Sequence, residues 1–203
     1  MSSLLSYYQE DLIEVGCDEV GRGCLAGPVV AAAVILPKDY THSLLNDSKK
    51  VTERIRLILE EDIKKNALAY SVGIVSVLEI DEINVLNASF LAMHRAIDKL
   101  HLKPEFILVD GNRFNRYNNL PHQCIIKGDS KYLNIAAASI LAKTYRDNYM
   151  VSLDHEYPYY DWKNNKGYPT KKHREGILQY GVSSHHRVSF KFTPDINQLS
   201  IKF

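Results

Sequence analysis

From Pro28 to Leu36 the chain reads PVVAAAVIL, nearly all small or β-branched apolar residues. Such an unbroken run describes a strand buried on both faces, not one with a wet side. Leu12 to Cys17 reads as a strand before it, and the glycines between the two imply a hairpin-like turn. Thr52 caps a predicted helix with Ile55, Ile58, Leu59 and Ile63 on one face and charged residues on the other. Ala67 to Val75 is a third strand. Leu86, Phe90, Met93, Ile97 and Leu100 then recur at helical spacing. Phe106 to Val109 and Cys124 to Ile126 are short apolar runs read as buried strands, ending in Asp110-Gly111 and Gly128-Asp129. Ile135 to Tyr149 is alanine-rich and free of Gly and Pro, as suits a well-packed helix. The order predicts an α/β layered fold with an antiparallel part at the beginning.

From about Asp154 the texture changes to aromatic, proline-containing and basic segments, with a helix expected over Thr170 to Tyr180, closed by Gly181. At 203 residues and 45% apolar, the chain suits one full domain with a small appended piece. We therefore expect a core over 1–153 and a tail subdomain over 154–203. A net charge of +1 and pI near 7.7 exclude holding nucleic acid by bulk charge, so any such contact must be a local patch. Cys17, Cys24 and Cys124 are odd in number and lack a C-x-x-C pair, which points away from disulfides and zinc and toward a reducing cytoplasm. No basic leader and no run of about 18 apolar residues is present.

The chemistry starts at Gly16-Cys17-Asp18-Glu19-Val20-Gly21-Arg22-Gly23. Adjacent carboxylates are hard ligands for Mg²⁺ or Mn²⁺, and small glycines let backbone approach a substrate. Read alone, the octet is equally an ordinary hairpin turn. In a sheet whose first, fourth and fifth strands are parallel, however, Asp18, Asp110 and Asp129 all fall at carboxyl ends along one edge, where open α/β sheets place ligands. Glu19 joins them only if the backbone turns directly after the strand, which Gly21 and Gly23 permit. Four carboxylates so close would repel unless divalent cations lay between them. Two such ions suit phosphodiester cleavage, which makes the expected reaction class a metal-dependent nuclease. Lys49 either holds a phosphate or is simply solvated, and Tyr168 either stacks on a sugar or base or packs the tail. His155, His173, His185 and His186 show no zinc-binding spacing and read as solvated or packing residues.

Taken in order, GCDEVGRGCLAGPVVAAAVIL, NDSKKVT, ILVDGN, KGDSKYLNIAAASILAKTYRD, GYPTKKH and HHRVSF resemble the signature blocks of bacterial ribonuclease HII, from Val15 to about Phe190. The resemblance implies an RNase H-like fold, a mixed five-stranded sheet flanked by helices, with a small C-terminal helical subdomain. It further implies endonucleolytic cleavage of RNA in RNA–DNA hybrids and at single ribonucleotides embedded in duplex DNA, leaving 3′-hydroxyl and 5′-phosphate ends, with Mn²⁺ or Mg²⁺ as cofactor. By matching position, Asp18, Glu19, Asp110 and Asp129 take the four acidic metal-binding and catalytic roles. Gly21, Arg22 and Gly23 match the backbone element that reads the ribonucleotide 2′-hydroxyl, Tyr168 the tyrosine stacking on the neighbouring deoxyribose, and Lys49 a phosphate-contacting lysine.

Val20 departs from the family's usual alanine, and the pattern begins at Val15 without the long N-terminal extension of the related ribonuclease HIII. A cytoplasmic monomer acting on these nucleic acids and on no membrane is expected. Two rival readings are a DNA-structure-specific nuclease of the same fold, such as a junction resolvase, and a non-catalytic phosphate-binding module built on the glycine turn.

Overall fold

A computed structural model describes residues 4–45 and 51–192. Its elements run β1 (Glu14–Val20), β2 (Val29–Ile35), α1 (Glu53–Asn66), β3 (Ala69–Val75), α2 (Val77–Ile83), α3 (Val85–Asp98), β4 (Phe106–Asp110), β5 (His122–Ile125), α4 (Leu133–Glu156), α5 (Trp162–Asn165) and α6 (Lys171–Tyr180). One five-stranded sheet has the order β3-β2-β1-β4-β5. β1–β2 and β2–β3 are antiparallel, while β1–β4 and β4–β5 are parallel. This is the expected mixed α/β fold. No helix among the described residues is long and apolar enough to cross a membrane.

β2 lies at the centre of the three layers because its alternate side chains face opposite ways and both sets are covered. Ala31 and Ala33 join Val15, Cys17 and Val29 against Ala92, Met93, Ala96 and Ile97 of α3. Val30, Ala32 and Val34 face Ala136, Ile140 and Leu141 of α4, with Leu59 and Ile63 of α1. The alanines keep β2 thin enough for both helices to close on it. At Gly16 in β1 the approach is very close: a Cβ there would lie 2.2 Å from the Asn134 carbonyl carbon and 2.4 Å from the Ile135 nitrogen. The first turn of α4 therefore rests directly on the β1 backbone.

Several expectations need correction. β1 continues through Val20, so Asp18 and Glu19 are strand residues paired with Ala32 and Ala31, not residues of a turn beyond it. β5 begins earlier than the apolar run and is a half-exposed edge strand; with no neighbour beyond it, Ile126 is 63% exposed. In α1, Leu59 and Ile63 are buried but Ile58 is 48% exposed, because it stands about 100° away from Leu59 around the helix. α2 was not read from sequence. It is closed by a Ser76–Glu79 capping box, and its Asp81 accepts from the Val188 and Ser189 N–H groups at 3.0 Å, tying it to the tail.

The tail packs Tyr160, Trp162 and Ile177 onto Met150 and Leu153 of α4 and onto Leu25 and Ala26 of the glycine loop. His173 and His186 are buried packing groups within it. Ser183 N–H donates to His186 Nδ1 at 2.9 Å, and Trp162 Nε1–H donates to His173 Nε2 at 3.0 Å. Burial pushes the His186 imidazole down to about 4. Thr170 caps α6 and Gly181 follows its end, as read from the sequence.

The contact at Gly16 sets a test. Gly16→Ala should lower stability by about 1–3 kcal/mol or more through overpacking, with a fall in melting temperature of roughly 2–4 °C per kcal/mol. Gly23→Ala, whose Cβ would meet nothing nearer than Tyr168 Cε1 at 3.9 Å, should stay within about 0.5 kcal/mol of wild type in the same melting experiment. Equal melting of the two variants would contradict backbone contact between β1 and α4.

Candidate active site

Consecutive strand residues point to opposite faces, and β1 keeps that rule to its end. Asp18 turns toward α4, where the Ser139 hydroxyl hydrogen-bonds its carboxylate; Glu19 lines a cleft with Leu86, Phe90 and Met93 on the α3 side. Asp110, the last residue of β4, lines that same cleft and accepts from Gly128 N–H at 2.7 Å. Asp129 sits in the 3₁₀ turn Gly128–Ser130, not on a strand end, and is buried. The parallel pairing of β4 with both β1 and β5 is what brings these positions to one edge.

The electrostatics show how crowded this edge is. Asp18 is pushed well above the ordinary carboxylate range, first by burial and then by the negative charges of Glu19 and Asp110, with Asp129 adding to them and the Ser139 hydrogen bond opposing. Glu19 is also raised by burial, while the Arg22 guanidinium, 3.0 Å from its Oε1, pulls it back. Each carboxylate makes the best of local donors: Asp18 Oδ1 accepts from Glu19 N–H at 2.7 Å, Glu19 pairs with Arg22, and Asp110 takes Gly128. Among the described residues no three His, Cys, Asp or Glu side chains form a ready-made cage around one cation position. An all-oxygen donor set under mutual repulsion nonetheless suits a hard divalent cation, which would offset the charge that now raises Asp18.

The glycine turn is held by two buried arginines. Arg146 of α4 donates to the carbonyls of Pro28 and Ala26 at 2.9 Å and of Lys166 at 2.7 Å. Arg187 donates to Gly27 O at 2.8 and 3.0 Å and to Arg22 O at 3.0 Å. Both side chains are fully buried, and burial pushes the Arg187 guanidinium down to about 10. Charges so placed are tolerable only because carbonyl oxygens surround them. Gly21 has φ +96°, and a Cβ there would lie 2.3 Å from Arg146 Nε. Only glycine fits.

Backbone bonds join this loop to the tail: Leu25 N–H donates to Gly167 O, Gly27 N–H to His185 O, and Arg187 N–H to Leu25 O, at 2.8–2.9 Å. Tyr168, 40% exposed as a residue, stands beside Gly23, its hydroxyl bonded to the Cys24 thiol and its carbonyl accepting from His173 Nδ1 at 2.9 Å. Of the residues expected from the sequence, Asp18, Glu19, Asp110, Asp129, Gly21, Arg22, Gly23 and Tyr168 thus belong to one connected region. Lys49 lies outside the described residues. Ser139, Arg146 and Arg187 escaped the sequence reading, although an arginine at a buried position of an alanine-rich helix was a signal for Arg146.

The family model for ribonuclease HII matches residues 15–193. A ribonuclease HII of Bacteroides thetaiotaomicron is 62% identical over 200 residues, covering 98% of this chain and 100% of that protein. The structure of a PCNA:RNase HII complex from Archaeoglobus fulgidus aligns with TM-score 0.75 at 27% identity, over 90% of this chain and 97% of the other. Bst-RNase HIII in complex with Mn²⁺ shares the fold, with TM-score 0.68 at 18% identity over 89% of this chain and 67% of the other. With sheet order, acidic edge and relatives in agreement, the chain belongs to the ribonuclease HII family and is an endonuclease of the ribonuclease H type, a hydrolase acting on RNA–DNA hybrids.

Proposed function

We propose that this enzyme, besides cutting the RNA strand of hybrids, nicks duplex DNA on the 5′ side of a single embedded ribonucleotide, leaving 3′-hydroxyl and 5′-phosphate ends. It acts as a cytoplasmic monomer, with 1–153 as catalytic core and 154–203 as substrate-contacting subdomain. The observation that carries the reading is the placement of the half-exposed Tyr168 ring against Gly23, in a loop continuous with the carboxylate-bearing strand.

In this reading Asp18, Glu19, Asp110 and Asp129 hold Mg²⁺ or Mn²⁺. Such ions, when bound, activate water and stabilise the leaving oxygen of a phosphodiester. The rest falls to the chain's own groups. The Gly21-Arg22-Gly23 backbone, fixed by Arg146 and Arg187, takes the 2′-hydroxyl, the one group separating ribose from deoxyribose. Tyr168 offers its ring to the adjacent deoxyribose, so the sugar junction is read without reading bases. Ser139 orients Asp18, and Arg22 restrains Glu19. Lys49 contacts a backbone phosphate.

On a labelled duplex with one ribonucleotide, the enzyme should cut only 5′ of that residue, with Mg²⁺ or Mn²⁺ and not in EDTA. Equal cutting of all-DNA duplex, or any cutting in EDTA, would sink this assignment.

Asp18→Asn and Asp110→Asn should each lose several kcal/mol of transition-state stabilisation, roughly 10²–10⁴-fold in rate, with substrate binding kept. Asp18 supplies a second readout. Because its folded-state pKa is raised, Asp18 opposes folding at pH above its ordinary carboxylate range, and this opposition fades as pH falls through the folded value toward that range. Asp18→Asn should therefore melt a few °C higher than wild type in EDTA, and that gap should narrow when Mn²⁺ is added. A near-wild-type rate refutes the ligand role.

Tyr168→Ala should slow cleavage at a single embedded ribonucleotide about tenfold to hundredfold more than cleavage of a uniform hybrid, the scale of about 1–3 kcal/mol for a stacking contact. Paired rates decide this. If both fall equally, Tyr168 is a packing residue of the tail.

A further inference from the structure

We propose that Arg113 anchors a phosphate subsite for the cleaved strand on the 5′ side of the scissile bond, on the fragment that leaves with the new 3′-hydroxyl. The proposal deepens the function above and rests on its placement of the ribose at the glycine turn.

After Asp110 the chain bends at Gly111, whose φ is +113° and around which a Cβ would meet nothing within 4 Å. The bend brings Asn112 and Arg113 to the cleft that Glu19, Arg22 and Asp110 already line. The next residue pins the loop: the Phe114 ring packs edge-on against Phe90, His94 and His122, with centroids at 6.2, 5.1 and 5.2 Å. Arg113 thus rises from an anchored backbone and is exposed. Among the described residues it makes no hydrogen bond or ion pair, although two carboxylates border the same cleft. The other guanidinium there, Arg22, is engaged by Glu19 at 3.0 Å. A planar fork of free N–H donors beside an acidic edge suits the non-bridging oxygens of a phosphodiester, which it can grip bidentately.

Position along the strand follows from the ribose placement taken above. Tyr168 abuts Gly23, while Arg113, two residues beyond Gly111 at the end of β4, borders the cleft that Glu19, Arg22 and Asp110 line. With the ribose at Gly21 to Gly23 and cleavage on its 5′ side, the scissile phosphate meets the carboxylates. Nucleotides continuing to Arg113 are then those preceding the cut, and Tyr168 takes the sugar that follows the ribose.

The test uses wild type, Arg113→Ala and Arg113→Lys on a duplex with one ribonucleotide, in which a single neutral methylphosphonate is moved phosphate by phosphate to either side of the cut. On the unmodified duplex Arg113→Ala should raise KM about tenfold with a smaller change in kcat. It should also reduce the slope of log(kcat/KM) against log[salt] by about one, and Arg113→Lys should restore that slope. One upstream methylphosphonate should impose the same loss on wild type and add nothing to Arg113→Ala, while downstream ones add in full. Melting should be unchanged, since among the described residues Arg113 makes no hydrogen bond or ion pair. Additive losses at every upstream phosphate, coupling to a downstream phosphate, or an unaltered KM in Arg113→Ala would overturn the assignment while leaving 5′ nicking intact. Failure of wild type to nick 5′ of the ribonucleotide would bring down the parent reading and this one with it.

Discussion

Two arginines hidden from water, Arg146 and Arg187, hold the functional half of this molecule together. Between them they donate to the carbonyls of Arg22, Ala26, Gly27, Pro28 and Lys166, so one helix and one tail segment grip the same loop. A buried guanidinium is costly unless its N–H groups find acceptors, which makes the arrangement demanding as well as firm. Losing either arginine leaves carbonyls without partners inside the protein. Losing the loop conformation leaves a charge there. The turn and the tail therefore stand or fall as a pair.

The acidic edge follows the opposite logic. Asp18 is buried among like charges and is only partly relieved by the Ser139 hydroxyl, so the metal-free protein carries a penalty at the place where chemistry is expected. Of the rival readings, a phosphate-binding module would leave that penalty without a use. A hydrolase of the ribonuclease H type gives it one. The family match over residues 15–193 places the chain among such hydrolases and not among junction nucleases.

What could be read from the sequence was local or periodic. β2 announced itself because a strand covered twice needs apolar residues throughout, and α3 because its buried positions recur every three or four residues. Asp110-Gly111 was legible as a strand end because glycine and aspartate terminate strands for reasons of backbone geometry. The extent of β1 was not, since Asp18 and Glu19 remain in the strand only because Ala31 and Ala32 of β2 offer them a ladder. Nor were the roles of Arg146 and Arg187, whose partners lie 118 to 165 residues away for all but one of the bonds described. Long-range hydrogen bonds leave no period behind. The exposed side of β5 was hidden for a similar reason, because an edge is a property of the sheet and not of the strand.

The stitching of the glycine loop to the tail, through Leu25 to Gly167 and Gly27 to His185, also couples the motions of the two. Had the glycine loop been a separate flap, it could have opened without disturbing the tail. Here Gly167, next to Tyr168, bonds Leu25, and the Tyr168 hydroxyl bonds Cys24, so the ring and the loop are held from both sides. A change in the tail is therefore felt at the loop beside the carboxylate-bearing strand, and the two are inherited as one mechanical unit.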